Sequence, residues 1–300
     1  MPRKVLFATD LSNYARAVTD CVAGLAQSGV REAVLLHVVD AALSYVEGAV
    51  GFDVVGQLRL DAQRALADEA RRLEDHGLAV QTRVEVGVPA REIVRVAEEE
   101  GVWLIVVGAY GRTLFEDVLL GSVAERVLHL ARRPVLVERP RVLAGLNAAE
   151  CQRRGARTFA RILLPTDFSP AAEVAQRFVA GLNDPRPEGV VCLHVLDERA
   201  LRGRPGEAAA RREAHAVERL QRIVADLEAH GVPAQGRLER GIPVDKIVEV
   251  AEEEGVGSTV VGSRGRGMVA ELLLGSTADG VVRRSRGPVV VVPRRAADGE

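Results

Sequence analysis

The chain has 300 residues, about two domains' worth by length. Its residues are 47% hydrophobic and 27% charged with a net charge of −2, so neither a basic balance nor aromatic–basic interleaving points to nucleic acid as partner. Aromatics are only 3%, so the core must be built from Val, Leu, Ile and Ala, which favours buried parallel strands.

Met1 to Leu6 runs straight into a strand-like segment without a signal-peptide core. No apolar run reaches the roughly 18 to 20 residues of a membrane helix. Strands are expected at Lys4–Thr9, Ala33–Val39, Ala79–Val86, Leu104–Val107 and Pro134–Val137. Between them the pattern predicts helices at Asn13–Gln27, Gln57–His76, Ala90–Glu100 and Ser122–Arg132. In the third helix Ile93, Val94 and Ala97 share one face, with Arg91, Glu92, Arg95, Glu98 and Glu99 turned to water. Arg132-Arg133, like Arg283-Arg284 later, falls near a helix C-terminus, where basic side chains complement the dipole. The stretch Arg139–Thr158 lacks a strand pattern and reads as an inter-domain linker that is in part helical.

After it the plan begins again. Val5-Leu6-Phe7-Ala8-Thr9-Asp10-Leu11-Ser12 returns as Ile162-Leu163-Leu164-Pro165-Thr166-Asp167-Phe168-Ser169. Leu36-His37-Val38-Val39-Asp40 returns as Leu193-His194-Val195-Leu196-Asp197, at the same offset of 157 residues. Beyond the second strand the offset becomes 154, as Gly87-Val88-Pro89 returns as Gly241-Ile242-Pro243, with Ile247, Val248 and Ala251 on the buried side of the helix that follows. Such a loss belongs in a loop. The chain is therefore read as a tandem duplication: domain one over 1–140, a linker over 141–158 and domain two over 159–300. Alternating strands and helices give each copy a parallel sheet covered on both faces.

The chemistry follows the fourth strand. Copy one reads Gly108-Ala109-Tyr110-Gly111, nine residues, then Gly121-Ser122. Copy two reads Gly262-Ser263-Arg264-Gly265, nine residues, then Gly275-Ser276. Glycines at the carboxyl edge of a sheet let the backbone approach a ligand. The Gly-Ser opens the last helix, where Ser can cap and free N–H groups attract an anion. Together they describe a phosphate cradle; equally, the glycines could only shape turns and helix packing. Asp10 and Asp167 end the first strands at the same edge and suit either helix capping or a polar hook for a ribose or base. His37 and His194 lie within aliphatic strands, as satisfied core histidines do. Cys21, Cys151 and Cys192 show no CxxC spacing, which argues against a disulfide framework and for a reducing cytoplasm. No P-loop lysine, nucleophile elbow or paired metal spacing appears, which favours binding over rapid turnover.

With these residues in place, both halves resemble the universal stress protein family, in its tandem-domain form. The glycine motif, the run Leu119-Leu120-Gly121-Ser122-Val123-Ala124-Glu125-Arg126-Val127 and the strand Pro134-Val135-Leu136-Val137 carry the likeness. The resemblance implies an α/β class fold of two tandem five-stranded parallel-sheet domains, Rossmann-like and similar to adenine nucleotide alpha hydrolases. It implies that Asp10 and Asp167 contact adenosine and that main chain at Val38 and Val195 meets the adenine edge. Gly108, Gly111, Gly121, Ser122 and Val123 would cradle phosphates in copy one, and Gly262, Gly265, Gly275, Ser276 and Thr277 in copy two. Arg264 would add a charge-assisted contact that Tyr110 cannot supply, so copy one is expected to bind more weakly.

The implied ligand is ATP, with AMP or ADP as alternatives and Mg alongside, its protein ligands unknown. The implied role is a stress-response sensor or regulator with no catalytic residues assigned. The competing readings are an AMP or cyclic AMP binder, a slow ATPase and a ligand-free dimerisation scaffold. Family members pair through their fifth strands, so Pro134–Val137 and Pro288–Val292 would make an intramolecular pseudo-dimer, with a homodimer as a further option. No nucleic-acid or membrane partner is expected.

Overall fold

The computed structural model describes residues 3–40, 54–109, 120–139, 143, 145–198, 207–263 and 274–294. The chain divides into two compact units, Met1–Ala156 and Arg157–Glu300. The first holds β1 (Arg3–Ala8), α1 (Asn13–Gly24), β2 (Val30–Asp40), α2 (Val54–Glu74), β3 (Ala79–Gly87), α3 (Pro89–Glu99), β4 (Leu104–Gly108), α4 (Ser122–Leu130), β5 (Val135–Glu138) and α5 (Ala148–Ala156). The second holds β6 (Arg161–Pro165), α6 (Pro170–Ala180), β7 (Gly189–Asp197), α7 (Glu207–Ala229), β8 (Ala234–Gly241), α8 (Pro243–Glu253), β9 (Ser258–Gly262), α9 (Ser276–Arg284) and β10 (Val289–Val292).

Strands run β3-β2-β1-β4-β5 in the first unit and β8-β7-β6-β9-β10 in the second, every neighbouring pair parallel. The expected α/β class holds, and its cause is visible in the burial. Val5, Leu6, Leu35, Leu36, Leu104 and Ile105 are fully enclosed on strands covered on both faces. The order reverses between β1 and β4, and between β6 and β9, which opens a crevice at the carboxyl edge of each sheet.

Three details depart from the pattern read in the sequence. The first helix stops at Gly24 and continues as a 3-10 turn over Leu25–Ser28, closed by Gly29 at φ 84°. On α3 the buried face is Ala90, Ile93, Val96 and Ala97, with Val94 at its border. Spacings of three and four centre the stripe on Val96, and Ile247 and Val250 repeat this in α8. The stretch read as a linker contains α5, which packs on α1 within the first unit.

Strands β3 and β8 lie last in the two strand orders and carry matching charge clusters. Arg83 donates to Glu85 at 2.6 Å and to Glu100 at 3.1 Å; Arg237 donates to Glu239 at 2.8 Å and to Glu254 at 3.0 Å. Charged side chains discourage strand addition at such an edge. Arg237→Met is expected to lower the urea midpoint at low ionic strength, with the deficit shrinking in 1 M salt as screening weakens the pairs it removes. A salt-independent deficit would assign the effect to packing instead.

Candidate functional site

Each crevice is built by the turn that leaves its central strand. In the first unit Thr9 N–H donates to the Leu36 carbonyl at 2.9 Å, extending the ladder one residue past β1. The chain then turns sharply. Leu11 takes φ 59°, a left-handed conformation that costs a bulky residue roughly 1–2 kcal/mol. The turn is held by Leu11 N–H on Thr9 Oγ1 at 3.1 Å and by Ser12 N–H on Asp10 Oδ1 at 3.0 Å. His37 Nδ1 donates to the Thr9 carbonyl at 2.9 Å. The second unit repeats each bond: Phe168 at φ 60°, Phe168 N–H on Thr166 Oγ1 at 3.0 Å, Ser169 N–H on Asp167 Oδ1 at 3.0 Å, and His194 Nδ1 on the Thr166 carbonyl at 2.7 Å.

This geometry separates roles that the sequence left open. Ser12 and Ser169 cap α1 and α6, accepting from Ala15 N–H at 3.2 Å and Ala172 N–H at 3.3 Å. Asp10 therefore is not the cap. One of its oxygens fixes the turn, and the other, Oδ2, is buried with no hydrogen-bond partner among the described residues. An unpartnered buried carboxylate oxygen is costly to leave unmade and suits an incoming hydroxyl or amino group. The histidines are satisfied, as expected, but they also fasten the site turn to the second strand. The sequence gives that role away only by an equal spacing of 28 residues from Thr9 to His37 and from Thr166 to His194.

Val38 and Val195 stand two residues beyond Leu36 and Leu193, the last partners of β1 and β6. Residues two apart on a strand turn their N–H and C=O groups the same way. Both valines thus present main chain towards the space left where the central strand ends.

The glycine motif closes the other side. Val107 pairs with Ala8, so Gly108 and Ala109 lie beside Thr9 and Asp10 at one edge. Ala109 N–H donates to the Glu138 carbonyl and Gly121 N–H to the Ala109 carbonyl, each at 2.7 Å. Ser263 N–H bonds the Val292 carbonyl at 2.9 Å and Gly275 N–H the Ser263 carbonyl at 2.8 Å. These bonds pull the starts of α4 and α9 against the ends of β4 and β9. The expectation that Ser122 and Ser276 cap those helices is corrected: the N-caps are Gly121 and Gly275, neither makes a side-chain cap bond, and the serines are the first helical residues with Val123 and Thr277 next. The first-turn amides are left without a side-chain cap, as an anion site requires. Gly262 has a packing reason of its own, because a Cβ there would lie 2.3 Å from the Ala171 carbonyl oxygen. Gly111, Arg264 and Gly265, with Tyr110, lie outside the described residues.

The second site carries an addition that sequence reasoning missed. Phe168 stacks on His194 with ring centroids 4.4 Å apart, and the Arg219 guanidinium lies 4.4 Å above the same ring. Arg219 also donates to the Phe168 carbonyl at 3.3 Å. The alternation of aromatic and cation stiffens the turn that holds Asp167. Among the described residues no group of three or more His, Cys, Asp and Glu could hold a metal ion. None of their helices is long and apolar enough to cross a membrane.

Two open parallel-sheet units, each with a carboxylate turn facing an uncapped helix start across a switch point, define a duplicated Rossmann-like protein. The universal stress protein family model matches residues 1–139 and again 158–293, and the chain belongs to that family. A universal stress protein of Mycolicibacterium smegmatis is 32% identical over 241 residues, covering 78% of this chain and 75% of its own. One from Methanocaldococcus jannaschii is 33% identical over 156 residues, 46% of this chain and 96% of that protein, in keeping with a single-domain relative. The crystal structure of a universal stress protein from Archaeoglobus fulgidus overlays with a TM-score of 0.73 at 26% identity, covering 98% of this chain and 99% of that one.

Proposed function

We propose that both halves bind an adenine nucleotide, ATP foremost, and that the protein acts as a stress-response sensor or regulator and not as a rapid enzyme. The observation that carries the reading is the buried, unpartnered Oδ2 of Asp10, set at the same sheet edge as the uncapped start of α4. A ribose hydroxyl would satisfy the carboxylate, the Val38 main chain would meet the base, and the amides of Gly121, Ser122 and Val123 would take the phosphates. Asp167, Val195, Gly275, Ser276 and Thr277 would do the same in the second half, with Gly108 and Gly262 bringing strand and helix together. Gly111, Gly265 and Arg264 belong to the proposal by their motif positions. Magnesium would arrive with the triphosphate.

Titration calorimetry of the purified chain with ATP, ADP, AMP and cyclic AMP tests this. Two sites are expected, the tighter lost on Asp167→Ala and the weaker on Asp10→Ala, each by tenfold or more, since a charged hydrogen-bond partner is removed from a buried contact. A preference for a monophosphate would replace ATP as ligand, and the absence of binding by any of the four would leave a scaffold. Any homodimer is part of the same proposal and is tested by the solution mass of the chain. The three free thiols fit a reducing cytoplasm, which fractionation of cells tests.

A further inference from the structure

A second concentration of reactive groups lies in the first unit, where α5 crosses α1. The two helices meet at backbone distance: a Cβ on Gly155 would lie 1.9 Å from the Cys21 carbonyl oxygen, and one on Gly24 would lie 2.1 Å from the Gln152 carbonyl oxygen. Ser28 Oγ ties the end of α5 down by donating to the Gly155 and Ala156 carbonyls at 3.5 and 3.0 Å. One turn before each glycine stands a cysteine, Cys21 on α1 and Cys151 on α5, 2% and 0% exposed. The two thiols influence each other electrostatically, and Cys151 Sγ donates to the Leu143 carbonyl at 3.8 Å. The duplication did not supply this pair: the position equivalent to Cys21 in the second half, 157 residues on, is Phe178.

We propose that Cys21 and Cys151 are a peroxide-oxidisable thiol pair whose disulfide pins α5 to α1. The two cysteines sit on helices in backbone contact and near enough to influence each other, so little movement brings them to disulfide geometry. Burial raises Cys21 more strongly than Cys151 and Arg154 favours the thiolate at both, so Cys151 is given the nucleophile's part. Cys151 attacks one oxygen of hydrogen peroxide. The S–O bond forms, the O–O bond breaks, and the departing hydroxide takes the thiol proton as water. Cys21 sulfur then attacks the sulfenic sulfur. The S–S bond forms, the S–O bond breaks, and the second hydroxide leaves with the Cys21 proton as water. Two thiols lose two electrons, and one peroxide becomes two waters. Burial pushes both thiols up and shields them, so the first step waits for α5 to lift and the second for it to redock. The pair therefore reports oxidant and helix docking together. Cys192, alone in the core of the second unit, serves as the internal control.

The full chain is exposed to hydrogen peroxide without denaturant, quenched, alkylated in denaturant and weighed intact. The expected product has lost about 2 Da, retains one alkylatable thiol and yields a single cross-linked peptide joining positions 21 and 151. Cys192→Ser should still lose about 2 Da, whereas Cys21→Ser should stop at a sulfenic acid on Cys151 that a carbon-acid probe captures. The oxidised chain should melt several degrees higher than the reduced one, since the bridge closes a long loop. Three intact thiols after exhaustive treatment, a bridge to Cys192, or sulfinic acid on Cys151 while Cys21 stays free would each overturn the proposal. The wild-type mass measurement needs no variant to fold.

Discussion

At pH 8 the Glu138→Val variant unfolds at a higher urea concentration than the wild-type chain, and by pH 4.5 the difference has nearly closed. Glu138 ends β5 at 1% exposure, and its Oε2 is buried without a hydrogen-bond partner among the described residues. Burial is the largest influence and pushes the carboxyl up to about 7, opposed by Arg154 and by the backbone of Arg139. In the unfolded chain the same group titrates near 4.5. Below about 4.5 both states are protonated and Glu138 adds no pH dependence to stability. Between about 4.5 and 7 the unfolded state releases its proton first, so stability falls as pH rises. Above about 7 the penalty is complete and constant, on the order of 3 kcal/mol. Valine stands at the equivalent position in the second half, Val292, which ends β10 at 1% exposure. Urea titrations of both proteins from pH 4.5 to 8.5 check the result, and a gap independent of pH would show that Glu138 carries no such penalty.

Gly155→Ala is expected to cost about 1–3 kcal/mol of stability and to detach α5. The added methyl would meet the Cys21 carbonyl at 1.9 Å, and main chain on both helices has no cheap way to retreat. Gly181, which matches Gly24 in the duplication, provides the control, since the nearest atoms to a Cβ there lie at 3.4 and 3.5 Å and Gly181→Ala should be tolerated. Limited proteolysis should cut the Gly155→Ala chain within residues 145–156 and spare the Gly181→Ala chain there. Equal stability and equal cleavage in the two variants would disprove the tight crossing.

Most of the sheet was legible because the code for it is coarse. Aliphatic runs such as Leu104–Gly108, spaced by amphipathic helices and repeated at fixed offset, leave few topologies open. Asp10 and the Gly-Ser pairs were legible as an edge constellation because strand ends sit at one edge in any parallel sheet. What stayed hidden depends on small residues and on exact geometry. Helix α5 is anchored by Gly155 and Cys151, and a periodicity search sees large aliphatic side chains, not close approach of backbones. Glu138 lies one residue past the strand read as Pro134–Val137, and nothing in the local pattern marks it as buried. Moving the cap from Ser122 to Gly121 turns on one residue's dihedrals, which spacing alone does not specify.

The left-handed Leu11 and Phe168 have a thermodynamic consequence for any ligand. Both turns are fixed by their own Thr and Asp side chains and by a histidine from the adjacent strand, so their disorder is removed during folding and not at the moment of encounter. Association at these two turns should carry the calorimetric signature of a rigid receptor: a heat-capacity change matching the apolar area the base covers, without the excess that a coupled folding step would add.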